Sequence, residues 1–83
     1  MTHLFTPGVA IDVRLRDGLP AHIVWNGRTH PVSRVTRVWR IDIFWWRGQV
    51  QRDYYKLTTA SGLLAEIYYD HVRNNWFLQR VYD

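Results

Sequence analysis

Ten arginines and one lysine are set among five tryptophans and five tyrosines in a chain of only 83 residues. Most of this chemistry is concentrated in three stretches: Arg34, Arg37, Trp39 and Arg40; Phe44, Trp45, Trp46 and Arg47; and Arg52, Asp53, Tyr54 and Tyr55. Guanidinium is planar, permanently charged, a bidentate partner for phosphate or carboxylate, and able to stack on aromatic rings. Aromatic faces next to it accept unpaired bases, at about 1–3 kcal/mol per stacked base. The combination points to a recognition surface, although a G+C-rich coding sequence produces the same preference for arginine.

Charge balance narrows the candidates. Eleven cations face seven acids, for a formal net charge of +4 and a pI near 10, so at least four cations are left unneutralised by the chain itself. Such a balance favours anionic partners. Asp53, Glu66 and Asp70 are expected opposite Arg34, Arg40, Arg52 and Arg80 as cross-strand pairs that fix register, each contributing about 0.2–1 kcal/mol. Arg34 and Arg40 are the expected phosphate contacts, while Arg37 shares its parity with Val35 and Trp39 and is expected inward or at a rim. Trp45 and Trp46 have two readings. One of them caps an open end of the sheet, or one forms, with Phe44 and Arg47, an exposed stacking platform. The candidate surface is therefore Arg34, Arg40, Phe44, Trp45, Trp46, Arg47 and Arg52.

Catalysis finds little support. His3, His22, His30 and His71 are scattered without a spacing that places two metal ligands on one face, and there is no cysteine. Ser33 and Ser61 lack the setting of an activated nucleophile, and the five glycines are isolated rather than gathered into a phosphate-cradling loop. The expectation is no enzyme, no metal and no cofactor.

These side chains need a scaffold, and the hydrophobic period is two almost throughout. Val9 to Leu15 alternates up to a turn at Asp17-Gly18, and Ala21 to Trp25 alternates up to Asn26-Gly27, the strongest short hairpin signal. A long strand is expected over about 32–41. Residues 42–48 break the alternation and read as an aromatic-rich connection. Further strands are expected over about 50–58, 63–70 and 76–82, with at most a helical turn at 71–75 and an irregular N-terminal arm at 1–8. The fold class is all-β: one antiparallel meander of about six strands, strongly twisted or closed into a half-open barrel, as edges and apolar faces must be covered. Trp39, Tyr55, Ile67 and Leu78 are the expected core. No run reaches the ~18 apolar residues of a membrane span, and the N-terminus lacks the pattern of a signal peptide, so a cytoplasmic protein is expected.

In the C-terminal half, Val38-Trp39-Arg40, Trp46-Arg47, Arg52-Asp53-Tyr54-Tyr55, Gly62-Leu-Leu-Ala-Glu66-Ile-Tyr68-Tyr69-Asp70 and Trp76-Phe-Leu78-Gln79-Arg80-Val-Tyr82-Asp83 resemble a bacterial family of small domains of unknown function. The resemblance covers about residues 20–83. Tyr69 stands where that family's pattern has a basic residue. Genes of the resembled family often lie near those of error-prone polymerase and mutagenesis factors, which implies a DNA-damage-tolerance setting. It implies no activity and no catalytic residue.

Two functions fit this chain. One is a non-catalytic accessory domain that binds single-stranded or distorted DNA or RNA. The alternative is a protein-interaction module, a homodimer or an accessory subunit of a polymerase assembly, using the same aromatic and arginine surface, since Trp, Tyr and Arg also dominate protein hot spots.

Overall fold

The structure is a computed structural model that describes residues 2–46 and 48–82 and, for Trp45, the backbone alone. Six antiparallel strands follow one another in chain order: β1 (Thr2–Arg16), β2 (Leu19–Trp25), β3 (Arg28–Trp45), β4 (Gly48–Thr59), β5 (Leu64–Asp70) and β6 (Asn75–Tyr82). The described residues contain no helix. The meander closes into a ring because β1 pairs with both β2 and β6. Two long strands make the corners. β1 pairs with β6 along residues 2–11 and with β2 along 12–16, and β3 pairs with β2 along 28–31 and with β4 along 32–45.

Closure relieves the edge problem only in part. From Val32 to Trp45, β3 has a strand partner on one side only, which is β4. The turns are those that the sequence requires. Asp17 (φ 53°) with Gly18 (φ 80°), and Asn26 (φ 55°) with Gly27 (φ 72°), occupy the left-handed region at both central positions, as a two-residue reversal between twisted strands demands. His71–Asn74 forms a single turn, held by the Asn74 amide donating to the Asp70 carbonyl at 2.7 Å.

Two segments differ from the sequence-based expectation. The N-terminal residues expected as an irregular arm belong to β1 from Thr2 onward, with Thr2, His3 and Leu4 opposite Tyr82, Val81 and Arg80; only the pairing between Leu4 and Val9 is interrupted. In the stretch 42–48, expected as an irregular connection, residues 42–46 and 48 are the far end of a hairpin in which Asp42, Ile43, Phe44 and Trp45 pair with Gln51, Val50, Gln49 and Gly48. Alternation fails there because both faces of the ribbon are exposed, so no buried face imposes a period of two.

Burial divides between the two faces of the β3–β6 sheet. Ile11, Ile23, Leu57, Ala65, Ile67, Leu78 and Val81 form the core inside the ring, with Val35, Tyr55 and Trp76 packed against it. On the opposite face Tyr54, Tyr68 and Phe77 form a second cluster, joined by Trp39 and Ile41. Ile67 and Leu78 are thus fully buried as expected, whereas Trp39 is half-buried on the other face from Tyr55.

The reason is a pair of bulges in β3. Pairing with β4 slips between Val32 and Arg34 and again between Val35 and Arg37, leaving Ser33 and Thr36 as extra residues. Each extra residue spends its hydroxyl on the partner strand: Ser33 Oγ donates to the Thr58 carbonyl at 3.0 Å and Thr36 Oγ1 to the Lys56 carbonyl at 3.1 Å. One extra residue reverses the facing of everything after it. Val35 therefore points into the ring while Arg37, Trp39 and Ile41 lie outside it, and Arg37 is exposed rather than inward.

Candidate nucleic-acid interface

Trp39, Tyr54, Tyr68 and Phe77 sit on four consecutive strands and form a ladder, with ring centroids 5.2, 5.0 and 5.3 Å apart. Arginines cover it. The guanidiniums of Arg37, Arg52 and Arg73 lie over Trp39, Tyr68 and Phe77 at 4.8, 4.6 and 5.8 Å. This layer leaves Tyr54 and Tyr68 only 5% and 3% exposed, so their faces are not open for base stacking. Several arginines of the chain thus serve as lids on a second cluster, each contact contributing about 0.5–1 kcal/mol where it is exposed.

The expected ion pairs form unevenly. Arg40 and Asp53 are directly opposite, and the guanidinium donates twice, from Nε to Oδ1 at 2.6 Å and from Nη2 to Oδ2 at 3.2 Å. His71 Nε2 adds a 2.7 Å contact to Oδ2. The Arg40 hydrogen bond is the main cause holding the Asp53 carboxyl below its ordinary pKa, against the opposing effect of burial and with help from His71. Arg52 stands opposite Asp70 with Nε 3.5 Å from Oδ2, but Asp70 is occupied mainly by the Val72 and Arg73 amides, which donate to Oδ1 at 2.9 and 3.1 Å. Glu66 faces Arg80 across the strands, and its Oε1 accepts from the Tyr82 hydroxyl at 2.8 Å. Arg34 is opposite Thr58 and has no carboxylate there.

Where β2 leaves β3, the β1–β2 hairpin splays away and opens a groove of about 740 Å³. Arg14, Arg16 and Arg34, with His22, contribute its ionisable lining, over apolar side chains that include Leu15, Leu19, Val32 and Val35. Among the described residues no carboxylate lines it, and none of these three arginines makes an ion pair. At the far end of β3 the hairpin runs beyond the sheet, because β5 covers β4 only from Arg52 to Thr58. That arm carries Ile43, Phe44 and Trp46 at 52%, 81% and 82% exposure.

The candidate residues of the sequence therefore do not make one site. Arg34 lies at the groove. Phe44 and Trp46 lie at the arm tip, with Phe44 ten residues along β3 from Arg34, on the order of 30 Å. Arg40 is engaged by Asp53 and Arg52 by the outer aromatic layer. Arg47 and the Trp45 side chain lie outside the described residues. Arg14, Arg16 and His22 were not candidates on sequence, although Arg14 and Arg16 alternate on one strand, a spacing that sets them on the same face. What no spacing reveals is that Arg34, eighteen positions after Arg16, joins them.

Comparison with known proteins adds a family and no activity. A protein-family model described as a domain of unknown function, DUF6504, matches residues 10–83. No curated protein and no solved structure matches the chain.

Proposed function

The chain belongs to the DUF6504 family, and because that membership carries no activity we propose from the geometry that it is a non-catalytic accessory domain binding single-stranded nucleic acid. The observation that carries this reading is the groove where Arg14, Arg16 and Arg34 stand together without a carboxylate. Unpaired guanidiniums are the donors that phosphates recruit, and releasing their counterions drives such binding. The apolar lining between them suits bases rather than a duplex backbone. A strand leaving the groove along β3 passes Arg37 before it reaches Phe44 and Trp46. We further propose a DNA-damage-tolerance setting for this role, a reading supported by the gene neighbourhood that the resemblance implies.

Fluorescence anisotropy with single-stranded and duplex oligonucleotides tests the reading. The wild-type domain should bind the single strand more tightly, and Arg14→Gln/Arg34→Gln should weaken it. Binding weaker than about 100 µM at 50 mM salt, outside the range of ordinary non-specific binders, overturns the proposal.

A second reading is favoured by the arm and by the free edge of β3. Exposed apolar side chains beside a strand with one partner suit strand addition by another polypeptide. In that reading the domain is a protein-interaction module, a homodimer or a subunit beside a polymerase, and substitutions at Phe44 and Trp46 abolish association while the groove arginines are dispensable.

A further inference from the structure

Apart from the groove, a second pocket of about 520 Å³ opens on the outer face of the β3–β6 sheet. One wall is β1 from Leu4 to Gly8, which crosses the sheet so closely that a Cβ at Gly8 would stand 2.7 Å from the Tyr68 hydroxyl. The other walls are Arg52, Arg73 and Arg80, with Gln79, Tyr54 and Tyr68. The side chains of Arg52, Arg73 and Arg80 thus border one space, and among the described residues no carboxylate lines it.

Their hydrogen-bonding capacity is far from used. Arg52 Nη1 donates to the Tyr54 hydroxyl at 3.2 Å and Arg80 Nη1 to the Tyr82 hydroxyl at 3.4 Å, while the Nε atoms of both are buried without a hydrogen-bond acceptor. Asp70 approaches Arg52 Nε at 3.5 Å but not in hydrogen-bonding geometry. Arg73 makes no ion pair among the described residues and only lies over Phe77. One bidentate guanidinium occupies both oxygens of a carboxylate and leaves it about two further acceptor sites. Three guanidiniums offer more donors than that, and a tetrahedral oxyanion with three or four terminal oxygens is the group that matches them.

We propose that the pocket bounded by Leu4–Gly8, Tyr68, Arg52, Arg73 and Arg80 binds a phosphate group. The site is separate from the groove and stands whether or not the groove takes nucleic acid. Its phosphate comes either from a small phosphate or phosphomonoester or from the backbone of a polynucleotide.

Arginine Nε–H signals in ¹⁵N-correlated NMR spectra of the full chain decide both questions, with the signals of Arg52 and Arg80 assigned from Arg52→Lys and Arg80→Lys. Titration with inorganic phosphate at constant ionic strength should move both signals saturably. Arg73→Gln, which alters an exposed turn residue, should weaken phosphate affinity by about tenfold, the loss of one charge-assisted contact, while Arg34→Gln leaves it unchanged. A single-stranded oligonucleotide without terminal phosphate that moves the same signals and competes with phosphate identifies the backbone as source. If only inorganic phosphate and a nucleoside monophosphate move them, the ligand is a small phosphate. Signals that stay still through the phosphate titration, that shift equally with chloride, or that respond identically in Arg73→Gln overturn the proposal.

Discussion

Salt dependence separates the groove from every other cationic part of this surface. Single strands lose affinity with a slope of about −0.7 in log K against log salt for each phosphate neutralised, so contacts from Arg14, Arg16 and Arg34 imply a slope near −2. Between about 50 and 200 mM salt that slope amounts to a loss of roughly 18-fold, easily resolved by anisotropy. Arg14→Gln/Arg34→Gln leaves one contact, a slope of about −0.7 and a loss of only about threefold over the same range. Both replaced side chains are exposed, so the fold should be undisturbed. Arg40→Gln is the informative control. It removes one formal charge against the two of the double variant, and Asp53 already engages that guanidinium twice, so the slope should stay near −2. A double variant that keeps the wild-type slope, or an Arg40 variant that flattens it equally, would refute the assignment of phosphates to the groove.

Three further outcomes follow from the packing and the charges. Ile67→Ala, in the closed core, should cost about 2–5 kcal/mol, and Trp39→Ala about 2–3 kcal/mol from one stacked pair, one guanidinium contact and a half-buried ring; urea melts that reverse this order would place Trp39 in the main core. The folded Asp53 carboxyl lies below its ordinary pKa, so it stabilises the fold above that ordinary value, and the contribution disappears as pH falls through the folded one. Asp53→Asn should therefore reduce stability at neutral pH by about 0.2–1 kcal/mol, the range of an exposed pair, and narrow the difference between variant and wild type in acid. Phe44→Ser/Trp46→Ser should leave the thermal midpoint nearly unchanged, because both side chains are more than four-fifths exposed. Loss of single-strand binding in that variant would extend the nucleic-acid path to the arm, and loss of self-association instead, seen by sedimentation, would favour the protein-interaction reading.

Much of the fold was legible because local chemistry dictates it. Asp17-Gly18 and Asn26-Gly27 take positive φ wherever they join two strands, and period-two alternation places Ile67 and Leu78 inside any sheet built from their segments. The pairing of Arg40 with Asp53 was also within reach, since both sit on neighbouring strands of one hairpin. Arginine and aromatic content pointed towards a recognition surface, and the same composition leaves four more cations than acids.

The facing of β3 and the assembly of the groove were decided only in three dimensions. A bulge is a fault in pairing between two strands, so Ser33 and Thr36 read as ordinary strand residues until Thr58 and Lys56 are set opposite them. Once Thr36 is extra, parity reverses, Trp39 moves to the outer ladder, and Arg37 and Arg52 become its cover. Likewise Arg14 and Arg16 meet Arg34 only because β1 bends from β6 to β2, carrying its hairpin away from β3. Residue types determined the charge and aromatic character of this surface, and long-range strand pairing determined which arginines, among the described residues, stand without an ion pair.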